Sequence, residues 1–276
     1  MRARQHHWRA SAWGEHPFGA HVVRLYRRSS QVELMHRALG FAALGFVALM
    51  PLLIVIAAVS PVEYGGFGQW VSSAMGLSGP SERIVKRLFA PSLQVLSTTG
   101  ALGLAIVCVF GQTFASTVQT GYEKVWGLPP RLRHRLWQQV LWLAALTGQF
   151  YAETLISRIP GPWTGVVRAL VWTLLFWWGQ WVLLGRRVTW RALLPGSVLT
   201  TIGLVGLLGF SKLVFTSMVV STAATYGAVG TVLVVVTWMV AVGFVVFGGA
   251  LLGEQCRRDS LGEQPAPTIH SSRRPT

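Results

Sequence analysis

Carboxylates are scarce in this sequence: nine Asp and Glu stand among 276 residues, and charged residues of both signs make up 12% of the chain. A metal-dependent hydrolase or nuclease needs histidines and carboxylates clustered to hold cations and activate water. The seven histidines, His6, His7, His16, His21, His36, His134 and His270, form no H-x-H-x-D or H-E-x-x-H pattern. No Walker loop, G-x-S-x-G elbow or dinucleotide fingerprint occurs. Cysteine is nearly absent too. Cys108 and Cys256 lie 148 positions apart, in or beside apolar segments, which excludes a disulfide framework and any metal-ligand spacing. The expectation is a protein that is not an enzyme, with no catalytic residues, no cofactor and no metal.

What the chain has instead is apolar length. Hydrophobic residues reach 52%, with 13 Trp, 13 Phe and 30 Gly, too apolar for an ordinary soluble domain. Six runs are long enough to span a bilayer: Ala38–Val59, Leu93–Ala115, Leu136–Ile156, Val166–Leu184, Leu193–Val220 and Gly227–Leu252. The first, second and sixth carry no charge. The alternation that a membrane barrel requires is missing, and unpaired backbone cannot face lipid, so the runs read as helices. The predicted fold is all-α, a polytopic bundle of six transmembrane helices. Pro51, in "ALMPLLIV", is placed to kink the first of them.

The formal charge of +15 could signal nucleic acid, but its placement argues otherwise. With the N-terminus inside, segments 1–37, 116–135, 185–192 and 253–276 hold 18 of the 24 Lys and Arg, against 4 in segments 60–92, 157–165 and 221–226. The positive-inside rule predicts that asymmetry for six spans with both termini cytoplasmic. The expected location is the plasma membrane and the expected partners are membrane lipids, the anionic inner leaflet above all, without nucleic acid. A homo-oligomer or an envelope partner protein both stay open. Residues 1–37 read as a basic cytoplasmic leader, either an interfacial helix or a solvated segment. Residues 253–276 read as a disordered tail. Within 60–92, "FGQWVSSAMGL" and "SERIVKRLF" are candidate interfacial helices, the second with a Ser–Glu start signal.

Four pieces together resemble the YihY/virulence factor BrkB family: "RALGFAALGFVALMPLLIVIAA" (37–58), "YEKVWGLPP" (122–130), "WRALLPGSVL" (190–199) and "YGAVGTVLVVVTWMVAVGFVVFGGALLGEQ" (226–255). The resemblance covers roughly residues 30–255. The first span departs from the family pattern in lacking its Tyr and Ser, and "GALLGEQ" lacks its Asn. The resemblance implies a six-helix integral membrane protein. The ribonuclease label that the family has carried finds no metal-binding pattern in these residues.

Two residue groups stand out. Glu153, with Gln149 one turn earlier on the same face, lies near the outer end of span three. Arg168 and Lys212 fall at similar depth in spans four and five, so Glu153 either pairs with one of them to line a polar cavity or each charge snorkels separately. The second group is the connector "GYEKVWGLPPRLRHRLW": Trp126 and Trp137 suit an interface, Pro129 and Pro130 stop the preceding helix, and Glu123 and Lys124 are placed to meet the loop "GRRVTWRALLPG". Glycines at helical spacing, Gly100/Gly103, Gly203/Gly206/Gly209 and Gly249/Gly253, mark close helix packing within the chain or across a dimer. Trp172, Trp177, Trp178 and Trp181 either line a path or anchor the fourth span. Two functions stay open: a transporter or flippase-like protein for a lipid or small amphiphile, and a non-catalytic scaffold or envelope-integrity factor.

Overall fold

The computed structural model describes residues 33–59, 69, 71–73, 75–88, 101–129, 135–156, 161 and 163–260, and the side chains of these except at 49–59, 88, 101–107, 135, 150, 151 and 154. Among the described residues six longer helices follow one another: α1 (Leu34–Val59), α2 (Pro80–Leu88), α3 (Ala101–Val125), α4 (Arg135–Ile156), α5 (Trp163–Leu183) and α6 (Trp190–Ser260). No strand occurs among the described residues. α1 runs unbroken through position 51, but the Pro51 side chain and its expected kink lie outside the described residues, as do most of the leader (1–32), Pro130 and positions 261–276 of the tail; positions 253–260, expected to be disordered, instead form the last turns of α6.

α3 continues ten residues past Ala115, where the second apolar run stops. The reason is local. Its last turns carry Gln119, Glu123 and Lys124, whose side chains all find partners in neighbouring elements. The helix then ends at Gly127, whose φ of +64 admits the left-handed turn that side chains resist. The Leu128 amide donates to Glu123 O at 2.8 Å, closing a Schellman motif. The stop therefore precedes Pro129 by two residues. α5 ends by the same device, with Gly185 in the turn and the Arg186 amide donating to Trp181 O at 3.1 Å.

α6 covers the fifth and sixth apolar runs in 71 residues, and the expected loop at 221–226 is helical. Gly227 alone breaks it, with φ 61 and ψ −140. Beyond that point the chain folds back on itself. A Cβ on Gly253 would stand 2.5 Å from the Gly196 nitrogen, and one on Gly249 would stand 2.8 Å from the Thr200 nitrogen. Trp238 Nε1 donates to Ser211 Oγ at 3.1 Å further along. The two halves, 190–226 and 228–260, thus form an antiparallel hairpin that closes through its smallest residues, as helices do where no water drives association. Gly206 and Gly209 meet nothing within 4 Å and take no part.

Two apolar cores result. At the Gly127 end, Phe41, Val118, Tyr122, Leu183, Leu193 and Phe247 interlock from four helices. Near the Gly227 turn, Val71, Met75 and Val85 cover Phe215, Val219 and Val235, so the 71–88 segment lies across the α6 hairpin. α2 starts with Ser81 Oγ donating to Ser78 O at 2.9 Å and carries a Glu82–Lys86 pair one turn apart.

Candidate functional site: a polar seam through the apolar bundle

α3, α4, α5 and the first half of α6 face one another with polar side chains at several successive levels. At one end, Arg187 closes the connector. Its Nη2 donates to Glu123 Oε1 at 2.6 Å, its Nη1 to Pro129 O at 2.7 Å, and its Nε to Leu184 O at 2.9 Å. Glu123 is 2% exposed. A carboxylate so enclosed is stable only as a pair: removing one partner of a buried ion pair costs about 3–5 kcal/mol.

One turn inward lies a ladder of glutamines. Gln139 Nε2 donates to Gln119 Oε1 at 2.6 Å, while Gln139 Oε1 accepts from Gln112. Gln119 Nε2 donates to Leu183 O at 2.8 Å and approaches Gln138 Oε1 at 3.3 Å. Next, Gln180 Nε2 reaches Ser197 Oγ at 3.4 Å, and Thr173 Oγ1 and Thr201 Oγ1 share a hydrogen bond of 2.9 Å. The seam ends at Glu153, which accepts from Arg168 Nε at 2.9 Å and from Trp172 Nε1 at 2.7 Å. That pair is partly open, with Arg168 at 45% and Glu153 at 19% side-chain exposure.

Two polar atoms of the seam have no partner among the described residues, Gln149 Nε2 and Gln180 Oε1. Leaving a buried donor or acceptor unmet costs about 1–3 kcal/mol each, and a leucine would avoid that cost. Their presence in an apolar bundle therefore calls for a reason other than stability.

The expected residues separate into those the structure brings together and those it does not. Glu153 meets Arg168, and Gln149 is buried one turn away on the same face of α4. Lys212 lies elsewhere: its Cγ packs 2.8 Å from where a Gly76 Cβ would stand, beneath the segment leading into α2. Glu123 meets the turn between α5 and α6 through Arg187, whereas Lys124 pairs with Glu33 at the start of α1. Trp126 is covered by the chain itself. It is buried at 6% exposure beneath the guanidinium of Arg257, 5.7 Å from its ring centre, because α6 extends to Ser260 and covers it. Trp137 is exposed. Trp172 serves the seam, while Trp177 packs tilted against Trp190 at 4.4 Å and Trp181 edge-to-face against it at 5.1 Å, bracing the α5–α6 turn.

Sequence reading passed over the glutamine ladder. Its trace is Gln112, Ser116, Gln119 and Glu123 at intervals of four, three and four, a polar stripe on one face of an apolar helix. At the end of α6, Glu254 is wholly buried and accepts from Arg258. No group of three or more His, Cys, Asp or Glu that could hold a metal ion occurs among the described residues.

Helices made of apolar residues on their outer faces and closed by glycine contacts are those of an integral membrane protein. α5 and α6 are each long and apolar enough to cross a bilayer. Residues 25–268 match the family model described as Virulence factor BrkB, and the chain belongs to that family. No curated protein and no solved structure matches the chain.

Proposed function

We propose that this protein is a non-enzymatic transporter or flippase-like protein for a lipid or small amphiphile, with six spans in the plasma membrane and both termini cytoplasmic. The observation that carries the reading is the seam: an apolar bundle keeps a column of amides, hydroxyls and two ion pairs where aliphatic side chains would be more stable. A scaffold needs no such column, since glycine contacts already fasten its helices. The placement of basic residues supports the orientation, because the Glu123–Arg187 end carries Lys124, Arg186, Arg257 and Arg258.

The test is reconstitution in liposomes with fluorescent short-chain lipids, followed by dithionite quenching. Transbilayer movement above that of protein-free vesicles, lost in Glu153→Gln, is the expected result. Movement at the protein-free rate with every lipid offered leaves the scaffold reading. Reporter fusions after residues 78, 128 and 188 check orientation, and an outside signal at 128 or 188 overturns it.

A further inference from the structure

Charge and neutrality alternate along the seam in a definite order. Each end is an arginine–carboxylate pair, Glu123–Arg187 and Glu153–Arg168. The seam residues between them are neutral amides and hydroxyls. The helix register fixes how these levels align. Glu153 meets Arg168 and Trp172, Trp142 Nε1 lies 2.9 Å from where a Gly179 Cβ would stand, and Gln138 Nε2 lies 3.1 Å from the same position on Gly185. Antiparallel helices in that register set Gln149 of α4 level with Thr173 of α5, and Thr173 bonds Thr201 of α6. Gln180 stands two turns away on α5, beside Ser197.

We infer that the two arginine–carboxylate pairs are the gates of one passage, and that the Gln149–Thr173–Thr201 level between them receives a neutral hydroxyl-bearing group, the head of an uncharged amphiphile. The assignment deepens the transport reading and rests on it. Its chemistry follows from what is left unmet. Gln149 is 6% exposed and offers a free donor; Gln180 is 1% exposed and offers a free acceptor. A hydroxyl both donates and accepts, so it satisfies either position as it passes. A phosphate or carboxylate can accept from Gln149 but has nothing to donate to the Gln180 oxygen. A cation finds no carboxylate along the seam between the pairs. Each pair fits the task of a gate, because its arginine is held by contacts that separate without unfolding a helix. Arg168 is half exposed, and Arg187 springs from the turn after α5 and bonds to the carbonyls of Leu184 and Pro129.

Thiol access reads the passage without a known cargo. Cys108 and Cys256, both exposed, are first replaced by Ser. Thr173→Cys or Thr201→Cys is then introduced into the full chain in sealed proteoliposomes and treated with a small charged methanethiosulfonate from one side at a time. With both pairs intact, reaction is expected to be slow. Arg168→Gln is expected to raise the rate at least tenfold from the Glu153 side only, and Arg187→Gln from the Glu123 side only. In detergent, 1-monooleoylglycerol is expected to slow labelling severalfold, while monooleoyl phosphatidate at equal concentration does not.

No reaction at either position in any background shows dry packing and overturns the passage. Acceleration from both sides by either substitution overturns the gates, and equal protection by both lipids overturns the head-group assignment. Should Arg187→Gln fail to elute as a monodisperse species, the paired change Glu123→Gln with Arg187→Gln takes its place, since it leaves no unpaired buried charge. Lipid movement tests the transport reading separately. Side-specific labelling and selective protection without lipid movement would remove transport and keep a gated binding site.

Discussion

Gly253→Ala is the sharpest perturbation of the architecture, because the atoms that its methyl meets cannot step aside. The new Cβ stands 2.5 Å from the Gly196 nitrogen, where ordinary contact begins at about 3.4 Å. Both partners are backbone, so no rotamer relieves the clash, and the halves of α6 must part by about 1 Å. Parting loosens the rest of the seam of small residues as well, including Gly249 against Thr200 and Gly203 against Val245. Overpacking of this kind costs about 1–3 kcal/mol, and with rigid partners the upper figure applies. The control is Gly206→Ala on the same helix, whose methyl meets nothing within 4 Å. There the alanine gains helix propensity, up to about 1 kcal/mol. The two single-methyl variants should thus differ by ~3–4 kcal/mol, on the order of a hundredfold to a thousandfold in the unfolding equilibrium. Titration with denaturing detergent, followed by tryptophan fluorescence in a fixed micelle composition, measures the difference. Equal stability of the two variants within about 0.5 kcal/mol would refute the close hairpin.

Arg187→Gln should destabilise by about 3–5 kcal/mol because it strands a buried Glu123 carboxylate, whereas Glu123→Gln with Arg187→Gln should recover most of that loss; thermal unfolding of the four members of the cycle checks it. Arg168→Gln should cost less in the same assay, at most about 1 kcal/mol, since Arg168 is 45% exposed and the pair is not enclosed as Glu123 is. The Glu33 carboxyl is held below its ordinary value of 4.5 by its hydrogen bond to Lys124 and by the charge of that lysine. A lowered value contributes stability above pH 4.5 that fades as pH falls through the folded value, so Lys124→Gln should flatten the acid limb of a melting-temperature profile. Gly121→Leu should disrupt the core at the Gly127 end, because a Cβ there already stands 2.7 Å from Phe247 Cζ, and loss of monodispersity on size exclusion reads it.

The apolar runs made the helices legible, because in lipid length and hydropathy decide what can be buried. Their ends were less so. Hydropathy stops at Ala115, but the backbone of α3 stops only where Gly127 permits a left-handed turn, and the ten residues between are kept helical by pairs with partners distant in sequence. The 221–226 segment departs from its expected loop for the opposite reason. It is small and polar, which suggests a loop, yet one residue in a non-helical conformation suffices to turn the chain, so the helix continues to Gly227. The glycine sets pointed to close packing but not to its partners: Gly249 and Gly253 meet Gly196 and Thr200, while Gly206 and Gly209 meet no one.

The candidate site divides along the same line. A charge inside an apolar run is conspicuous, so Glu153 and Arg168 were visible, and only the choice between Arg168 and Lys212 needed coordinates. A glutamine in such a run barely lowers its hydropathy, so the ladder between the pairs stayed hidden, although its members are among the most enclosed side chains in the molecule. Yet the neutral part is what gives the charged ends a meaning. Two ion pairs at opposite ends of a leucine-filled bundle would be fasteners. With successive levels of amides and hydroxyls between them, two of these side chains with unmet hydrogen-bonding capacity, they bound, on the proposed reading, a column that a polar group can occupy at a cost far below that of entering lipid. A chain selected only for stability would have filled positions 149 and 180 with aliphatic side chains, and these two glutamines are therefore the residues on which the transport reading stands most directly.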